Sequence, residues 1–280
     1  MMIRSSFLVS VMSIFMALEM SASTVHWITF IDTEDEHVGM LNKNAHSVLY
    51  SHFINVVNNE VSQFGYDHKV YDFSSSSYSS ENCVKVICDL QCNATDVIVF
   101  YYIGHGYRGS SDFQKSKYPY CTFGYQVEKS IPFTWIHDEL KKKGAQLVVS
   151  IGDCSNAPME FVSAPSTKDV VFLPAKGIEG TNTTIAEAFL RNKGDIIVCS
   201  ASPRQQSIGG PTNFGNMDFF TYTFVSCFEI MLSEKKFNWD SFLKEVSTTT
   251  AELTKGSPFN KTQTPTYDYN LRPIQIPKVE

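Results

Sequence analysis

Two apolar runs decide the fold of this chain: residues 97–106 read VIVFYYIGHG, and residues 147–156 read LVVSIGDCSN. Continuous runs of β-branched and aromatic residues are typical of strands that are buried on both faces of a parallel sheet. His105 follows the first run, and an Asp-Cys-Ser triplet at 153–155 ends the second. Ligands of open α/β sheets bind at the carboxyl ends of the strands, so we expect these polar residues to meet there. An imidazole and a thiol or hydroxyl at one edge are the two parts of a nucleophile and base pair.

Strands and helices alternate along the rest of the chain. Further predicted strands cover 25–31, 69–73 and 195–199, with a candidate edge strand at 170–173. Predicted helices cover 45–64, 81–92, 132–143, 183–192, 219–232 and 239–253, and a polar, proline-containing tail follows. Alternation without an internal repeat predicts an α/β fold, namely a three-layer α/β/α sandwich around a mostly parallel sheet. Long polar loops at 107–130, 155–182 and 200–217 are expected to wall one cleft.

The N-terminal segment has the pattern of a secretory signal peptide. Arg4 precedes an apolar run at 7–18, and small residues at 21–23 supply a cleavage point. The run is too short to span a bilayer, and no later apolar segment is long enough, so we predict no membrane span. These features predict a signal peptide at 1–23, followed by one domain at 24–280 that is secreted or periplasmic.

The charge and the cysteines limit the partners of the chain. The net charge of −6 disfavours a nucleic-acid partner, because phosphate binding requires a basic face. Seven cysteines leave at least one thiol outside any disulfide. Cys83, Cys88 and Cys92 fall on one predicted helix, and their spacing matches no common zinc pattern. We therefore interpret them as small buried hydrophobic residues and predict no metal site.

The two strand ends resemble those of the caspase-like cysteine peptidases, nearer to metacaspases and bacterial caspase-like proteins than to animal caspases. The resemblance covers about 25–271: the sequence at 103–106 is similar to the family's Ser-Gly-His-Gly, and 153–156 aligns with its Asp-x-Cys-His. It implies a caspase-like fold and an exported endopeptidase that cleaves peptide bonds by Cys/His acyl transfer. His105 would manage the proton of the nucleophile, and the Gly106 N–H would help to hold the oxyanion.

The nucleophile does not fall where the family pattern has its cysteine. Counted from Asp153, the family's cysteine position is Ser155, and the thiol that is present, Cys154, occupies the variable position between them. Three hypotheses stay open. A shifted loop lets Cys154 attack, or Ser155 attacks with the help of a stronger base arrangement, or the chain is an inactive homologue whose cleft binds a peptide or protein. A serine hydrolase of another class is disfavoured, because no Gly-x-Ser-x-Gly surrounds Ser155.

The resemblance also suggests a substrate preference and a cofactor candidate. Asp153 corresponds to the aspartate with which metacaspases bind Arg or Lys, and Asp32 at a neighbouring strand end would add a second carboxylate. Many metacaspases need calcium, and the acidic run at 32–36 is a candidate for it. That run lacks the glycine-punctuated pattern of a calcium loop, so a solvated acidic turn is favoured and no cofactor is predicted.

Overall fold

The computed structural model describes residues 22–109, 115–124, 127–158, 183–255 and 262–275. The strands of these residues are β1 (Thr24–Ile31), β2 (Asp67–Ser74), β3 (Val97–Ile103), β4 (His105–Tyr107), β5 (Tyr120–Thr122), β6 (Ile131–Pro132), β7 (Leu147–Asp153), β8 (Asn192–Cys199), β9 (Gly209–Thr212), β10 (Gly215–Asp218) and β11 (Thr266–Pro273). The helices are α1 (Gly39–Leu49), α2 (Asn55–Ser62), α3 (Ser80–Asp89), α4 (Phe133–Lys141), α5 (Thr183–Ile185), α6 (Phe219–Ser233) and α7 (Trp239–Lys255). Two π-helical segments, Tyr50–Ile54 and Ala186–Leu190, follow α1 and α5.

Six strands form the central sheet in the order β11-β8-β7-β3-β1-β2. The neighbours from β8 to β2 pair in parallel, and β11 alone pairs antiparallel, with β8. Two small antiparallel sheets, β9-β10 and β4-β5-β6, lie beside it. The helices that connect parallel strands pack on both faces of the sheet. For this reason β1, β3 and β7 are buried along their whole length.

Helices cover both faces of the sheet, so the predicted three-layer α/β/α sandwich with a mostly parallel sheet is confirmed. One face packs against α1, α2, α6 and α7, whose apolar side chains join the larger buried cluster. The other face packs against α3 and α4 and forms the second cluster. Side chains alternate between the two clusters along each strand, as the pleat requires: in β3, Tyr101 belongs to the first and Tyr102 to the second.

The structure corrects several sequence predictions. The tail contains a strand, β11, and the loop at 200–217 contains the hairpin β9-β10. The helix predicted over 81–92 ends at Asp89, so Cys92 lies beyond it and does not share a helical face with Cys88. Cys83 is fully buried, but Cys88 is exposed and Cys92 is half-buried, so burial holds for only one of the three. The candidate edge strand at 170–173 and most of the predicted signal peptide lie outside the described residues.

No helix in the described part of the chain is both long and apolar enough to cross a membrane.

Candidate active site

The register of the sheet brings the predicted site residues to one edge. Ile31 of β1 lies opposite Ile103 of β3, and Ile103 lies opposite Asp153 of β7. The segments that follow these three strands therefore begin side by side. They carry the acidic run, His105 and the Cys154-Ser155 pair, as the sequence predicts from the carboxyl ends of parallel strands.

His105 is held by a carboxylate to which the sequence analysis gave no role. Its Nε2 lies 3.0 Å from Oδ2 of Asp35, whose side chain is 3% exposed. The other oxygen, Oδ1, accepts the backbone N–H groups of His37 and Val38, both at 2.8 Å. Burial by itself would raise the pKa of Asp35, but these amides and His105 outweigh it and hold that pKa below its usual range. Asp35 thus stays ionised and orients the imidazole, whose side chain keeps 22% of its surface exposed.

Two glycines let the His105 segment pass close to its neighbours. A Cβ on Gly104 would collide with the Tyr78 hydroxyl, and one on Gly106 would lie 2.5 Å from the Ser155 carbonyl and 2.7 Å from the Cys154 sulfur. Because neither glycine has a Cβ, the segment that carries His105 can pack directly against the segment that carries Cys154 and Ser155. The predicted oxyanion residue, Gly106, lies beside both candidate nucleophiles.

Cys154 is turned away from the site edge and into the core. It is 1% exposed and belongs to the second buried cluster, where its sulfur lies 3.9 Å from that of Cys199. A hydrogen bond with the Cys121 thiol, together with burial, raises the pKa of Cys154 well above its ordinary value. In this arrangement the thiol is neither ionised nor accessible to a peptide carbonyl.

Ser155 occupies the more open position of the pair. It is half-buried, and its hydroxyl oxygen accepts the backbone N–H of Ser207 at 3.1 Å. That bond uses an oxygen lone pair and leaves the hydroxyl hydrogen available for donation to a base.

Asp153 is buried beneath this edge instead of lining an open pocket. It is 2% exposed, and its oxygens accept the Ser207 hydroxyl at 2.7 Å and the Thr221 hydroxyl and N–H at 2.6 and 3.1 Å. Asp218, immediately before α6, is half-buried and lies near enough to Asp153 for their charges to interact. Burial raises the pKa of both carboxyl groups, and the charge on Asp153 raises that of Asp218 further. Asp218 is a second acidic group here that the sequence analysis did not single out.

An acidic cleft of about 480 Å³ opens next to the His105-Asp35 pair. Its charged lining residues are Asp32, Glu34, Asp35, Glu36, Glu81 and Lys129. Asp35 belongs both to this cleft and to the histidine pair, so it joins the two. The lining holds five carboxylates and one ammonium group, and Lys43 pairs with Glu34 beside it at 3.3 Å, so the cleft keeps a negative potential that attracts cations.

Asp32 is a second carboxylate of the cleft that is almost fully buried. It is 7% exposed, and burial, followed by the charge of Asp35, raises its pKa to about 6. The predicted substrate residue Asp32 therefore lies in an open cleft, whereas the other, Asp153, lies in the core. Within the described ranges, no three of the cleft carboxylates bring ligand atoms within 4.8 Å of one another, as a preformed calcium site would.

A buried arginine connects the loops around this edge. Arg108 is 1% exposed, and its Nε donates to the Asn156 side-chain oxygen at 2.7 Å. The Asn156 amide in turn donates to the carbonyls of Lys117 and Ala201. Arg108 thereby ties the segment after His105 to the segment after Ser155, a role with no sequence signal beyond its place after the Gly-His-Gly run.

No protein-family model matches the sequence, and no curated protein matches it either. Among solved structures, the chain is similar to the crystal structure of protein GSU0716 from Geobacter sulfurreducens. The TM-score is 0.45 at 11% sequence identity, over 91% of this chain and 95% of that one. What the site can do chemically follows from its own side chains.

Proposed function

We propose that this chain binds a peptide or protein through a basic side chain that enters the acidic cleft, and that it does not cleave the peptide with Cys154. The observation that carries this proposal is the position of the thiol, which is 1% exposed and contacts Cys199 in the core. A cysteine peptidase needs a thiolate beside its histidine and within reach of a carbonyl carbon. On this proposal the chain is a catalytically inactive relative of the caspase-like peptidases, and what it shares with them is the fold and the cleft.

The charge of the cleft supports a basic ligand. Carboxylates that share one cleft repel each other, and the raised pKa of Asp32 reflects that repulsion in addition to burial. A guanidinium or ammonium group placed among them removes the repulsion and gains charge-assisted hydrogen bonds. A cavity of about 480 Å³ falls in the size range of ligand pockets and accepts a long side chain with part of its backbone.

The test compares two peptides that differ in one charge. A fluorescent peptide with a single Arg is matched to one with citrulline, which has the same shape and no charge, and binding is measured by anisotropy. We expect the Arg peptide to bind at least about tenfold more tightly, equivalent to about 1.4 kcal/mol. Asp32→Asn should remove most of this difference, whereas Glu252→Gln, at an exposed glutamate of α7, should preserve it.

Two results would contradict the proposal. Equal affinity of the wild-type protein for both peptides would exclude charge recognition in the cleft. Cleavage of the Arg peptide, detected by mass spectrometry after incubation with and without calcium, would exclude a purely binding role if Cys154→Ala abolished it. That second result would restore the Cys/His endopeptidase that the sequence predicts.

Serine-type hydrolysis is the second candidate, and the Asp35-His105 pair favours it. An alcohol needs a stronger base than a thiol, and a carboxylate 3.0 Å from the imidazole stabilises the imidazolium that proton transfer would create. Turnover that survives Cys154→Ala but is lost in both Ser155→Ala and His105→Ala would establish this reaction. Absence of turnover in the wild-type protein, combined with charge-dependent binding, would support the binding module.

A further inference from the structure

A cluster of metal-binding side chains lies at the opposite end of the sheet from the acidic cleft. His26 is near the start of β1, Asp96 immediately precedes β3, and Cys92 lies in the segment between α3 and β3. Each side chain supplies one possible ligand atom, and these atoms all lie within 4.8 Å of one another. Sequence spacing predicted no zinc pattern here because one of the three donors comes from a distant strand.

Asp96 is already oriented as a ligand would be. Its Oδ1 accepts the Thr24 N–H at 2.8 Å, and its Oδ2 accepts the Asn93 N–H, also at 2.8 Å. Backbone donors of this kind fix the carboxylate and balance part of its charge, as outer-shell partners do in metal sites. Oδ2 lies 3.1 Å from Nε2 of His26. Two ligands of a tetrahedral zinc ion are about 3.3 Å apart at bond lengths near 2.0 Å, so the pair needs little movement.

His26 has a nitrogen that nothing in the described chain satisfies. The residue is 2% exposed, and its Nδ1 is buried without a hydrogen-bond partner among the described residues. Buried polar atoms normally have a hydrogen-bond partner, and one without a partner destabilises the folded state. Nε2 is the nitrogen that faces Asp96, so it is the ligand atom of this cluster, and the tautomer with its proton on Nδ1 leaves the Nε2 lone pair free for an ion.

We propose that His26, Cys92 and Asp96 bind a zinc ion that fastens the start of β1 to the segment before β3. Nitrogen, sulfur and oxygen donors together are the ligands zinc takes in tetrahedral sites, whereas Ca²⁺ and Mg²⁺ require oxygen donors throughout. Three protein ligands leave the fourth position for a water molecule. Cys92 follows the end of α3 at Asp89, so its segment can close the remaining distance without unwinding the helix.

The test uses the purified, reduced protein after treatment with a chelator. Zn²⁺ is titrated in competition with a chromophoric chelator, and Co²⁺ is added separately to detect the thiolate-to-cobalt charge-transfer absorption. We expect one equivalent of zinc to bind and to raise the melting temperature, because an ion that binds only the folded state stabilises it. Cys92→Ser should weaken binding by at least about tenfold and remove the cobalt absorption.

Cys88→Ser is the matched control, since it changes an exposed thiol four residues earlier and should leave both measurements unchanged. The proposal fails if the wild-type protein binds no equivalent of zinc and its melting temperature does not respond. It also fails if Cys92→Ser binds as the wild type does, or if Cys88→Ser loses binding equally. The zinc-dependent change in melting temperature is measured on the wild-type protein. It therefore tests the proposal even if Cys92→Ser folds poorly. None of these results depends on a ligand of the acidic cleft.

Discussion

Asp32→Asn is expected to stabilise the protein at neutral pH although it removes a group that we assign to ligand binding. In the unfolded chain this carboxyl group titrates near its ordinary pKa of 3.8, and in the folded protein its pKa is raised to about 6. Between these values the folded state binds more protons than the unfolded state, so folding stability decreases as the pH rises. Stability due to the protonated carboxyl is complete below pH 4 and is lost once the pH passes 6.

The size of the effect follows from the pKa difference. A pKa raised from 3.8 to about 6 corresponds to a cost of about 3 kcal/mol for ionised Asp32 at pH 7.5. Asparagine cannot ionise, and its neutral side chain resembles the protonated carboxyl, so the variant avoids this cost; the hydrogen bonds from the backbone N–H groups of Glu34 and Asp35 are already included in the pKa of about 6. The variant should therefore gain about 3 kcal/mol at pH 7.5 and less than about 1 kcal/mol at pH 4.

Urea unfolding of both proteins at pH 4 and pH 7.5 measures this difference directly. Asp67→Asn, at an exposed aspartate of β2, is the control and should change the free energy of unfolding by less than about 0.5 kcal/mol at either pH. A variant that is less stable than the wild type at pH 7.5 would show that ionised Asp32 is a net stabilising group. An equal gain at both pH values would show that the effect is unrelated to ionisation. Either result would refute the inference that ionised Asp32 destabilises the folded protein when no cationic ligand is bound.

Three further predictions concern other parts of the site and core. Gly106→Ala should lower the free energy of unfolding by about 1–3 kcal/mol in urea, because its Cβ would lie 2.5 Å from the Ser155 carbonyl; an unchanged midpoint would contradict that packing. Burial lowers the pKa of His137, so the unfolded state binds more protons at acidic pH. Stability should then fall as the pH drops from 7 to 5, and His137→Gln should reduce the slope measured by urea unfolding. In a Ser155→Cys protein, iodoacetamide should alkylate the new thiol under native conditions, and Cys154 should react only after unfolding. Mass spectrometry of the labelled peptides measures both reactions. Native labelling of Cys154 in place of the new thiol would show that Cys154 faces solvent.

The central sheet could be predicted because its strands are buried on both faces. The strands at 97–103 and 147–153 are mostly apolar and buried over their whole length, and polar residues mark the same edge: His105 just after the first strand and Asp153 at the end of the second. The strand β11 could not be predicted in this way. It lies at the sheet edge, where all of its residues are exposed or half-buried, so neither an apolar run nor a clear alternation marks it.

The partner of His105 could not be predicted, because its role depends on a local turn. Asp35 lies within an acidic run, which sequence alone describes as a solvated turn. The N–H groups of His37 and Val38 bind one of its oxygens and leave the other to face the imidazole. The cluster for which we propose zinc binding has no local sequence pattern either, since His26 is 66 residues from Cys92 in the sequence.

The orientation of Cys154 follows from the pleat of β7, whose successive side chains point to opposite faces. Asp153 and Ser155 share a face, because Ser207 contacts both: its hydroxyl donates to Asp153 and its N–H donates to Ser155. Cys154 lies on the other face, in the cluster that contains Cys121 and Cys199. A shift of the thiol to the site edge would exchange the two faces, which would bring Asp153 out of its hydrogen bonds with α6 and into the apolar cluster. Burying that carboxylate without partners would cost several kcal/mol, so Cys154 keeps its place in the apolar cluster and Ser155 stays on the face of Asp153.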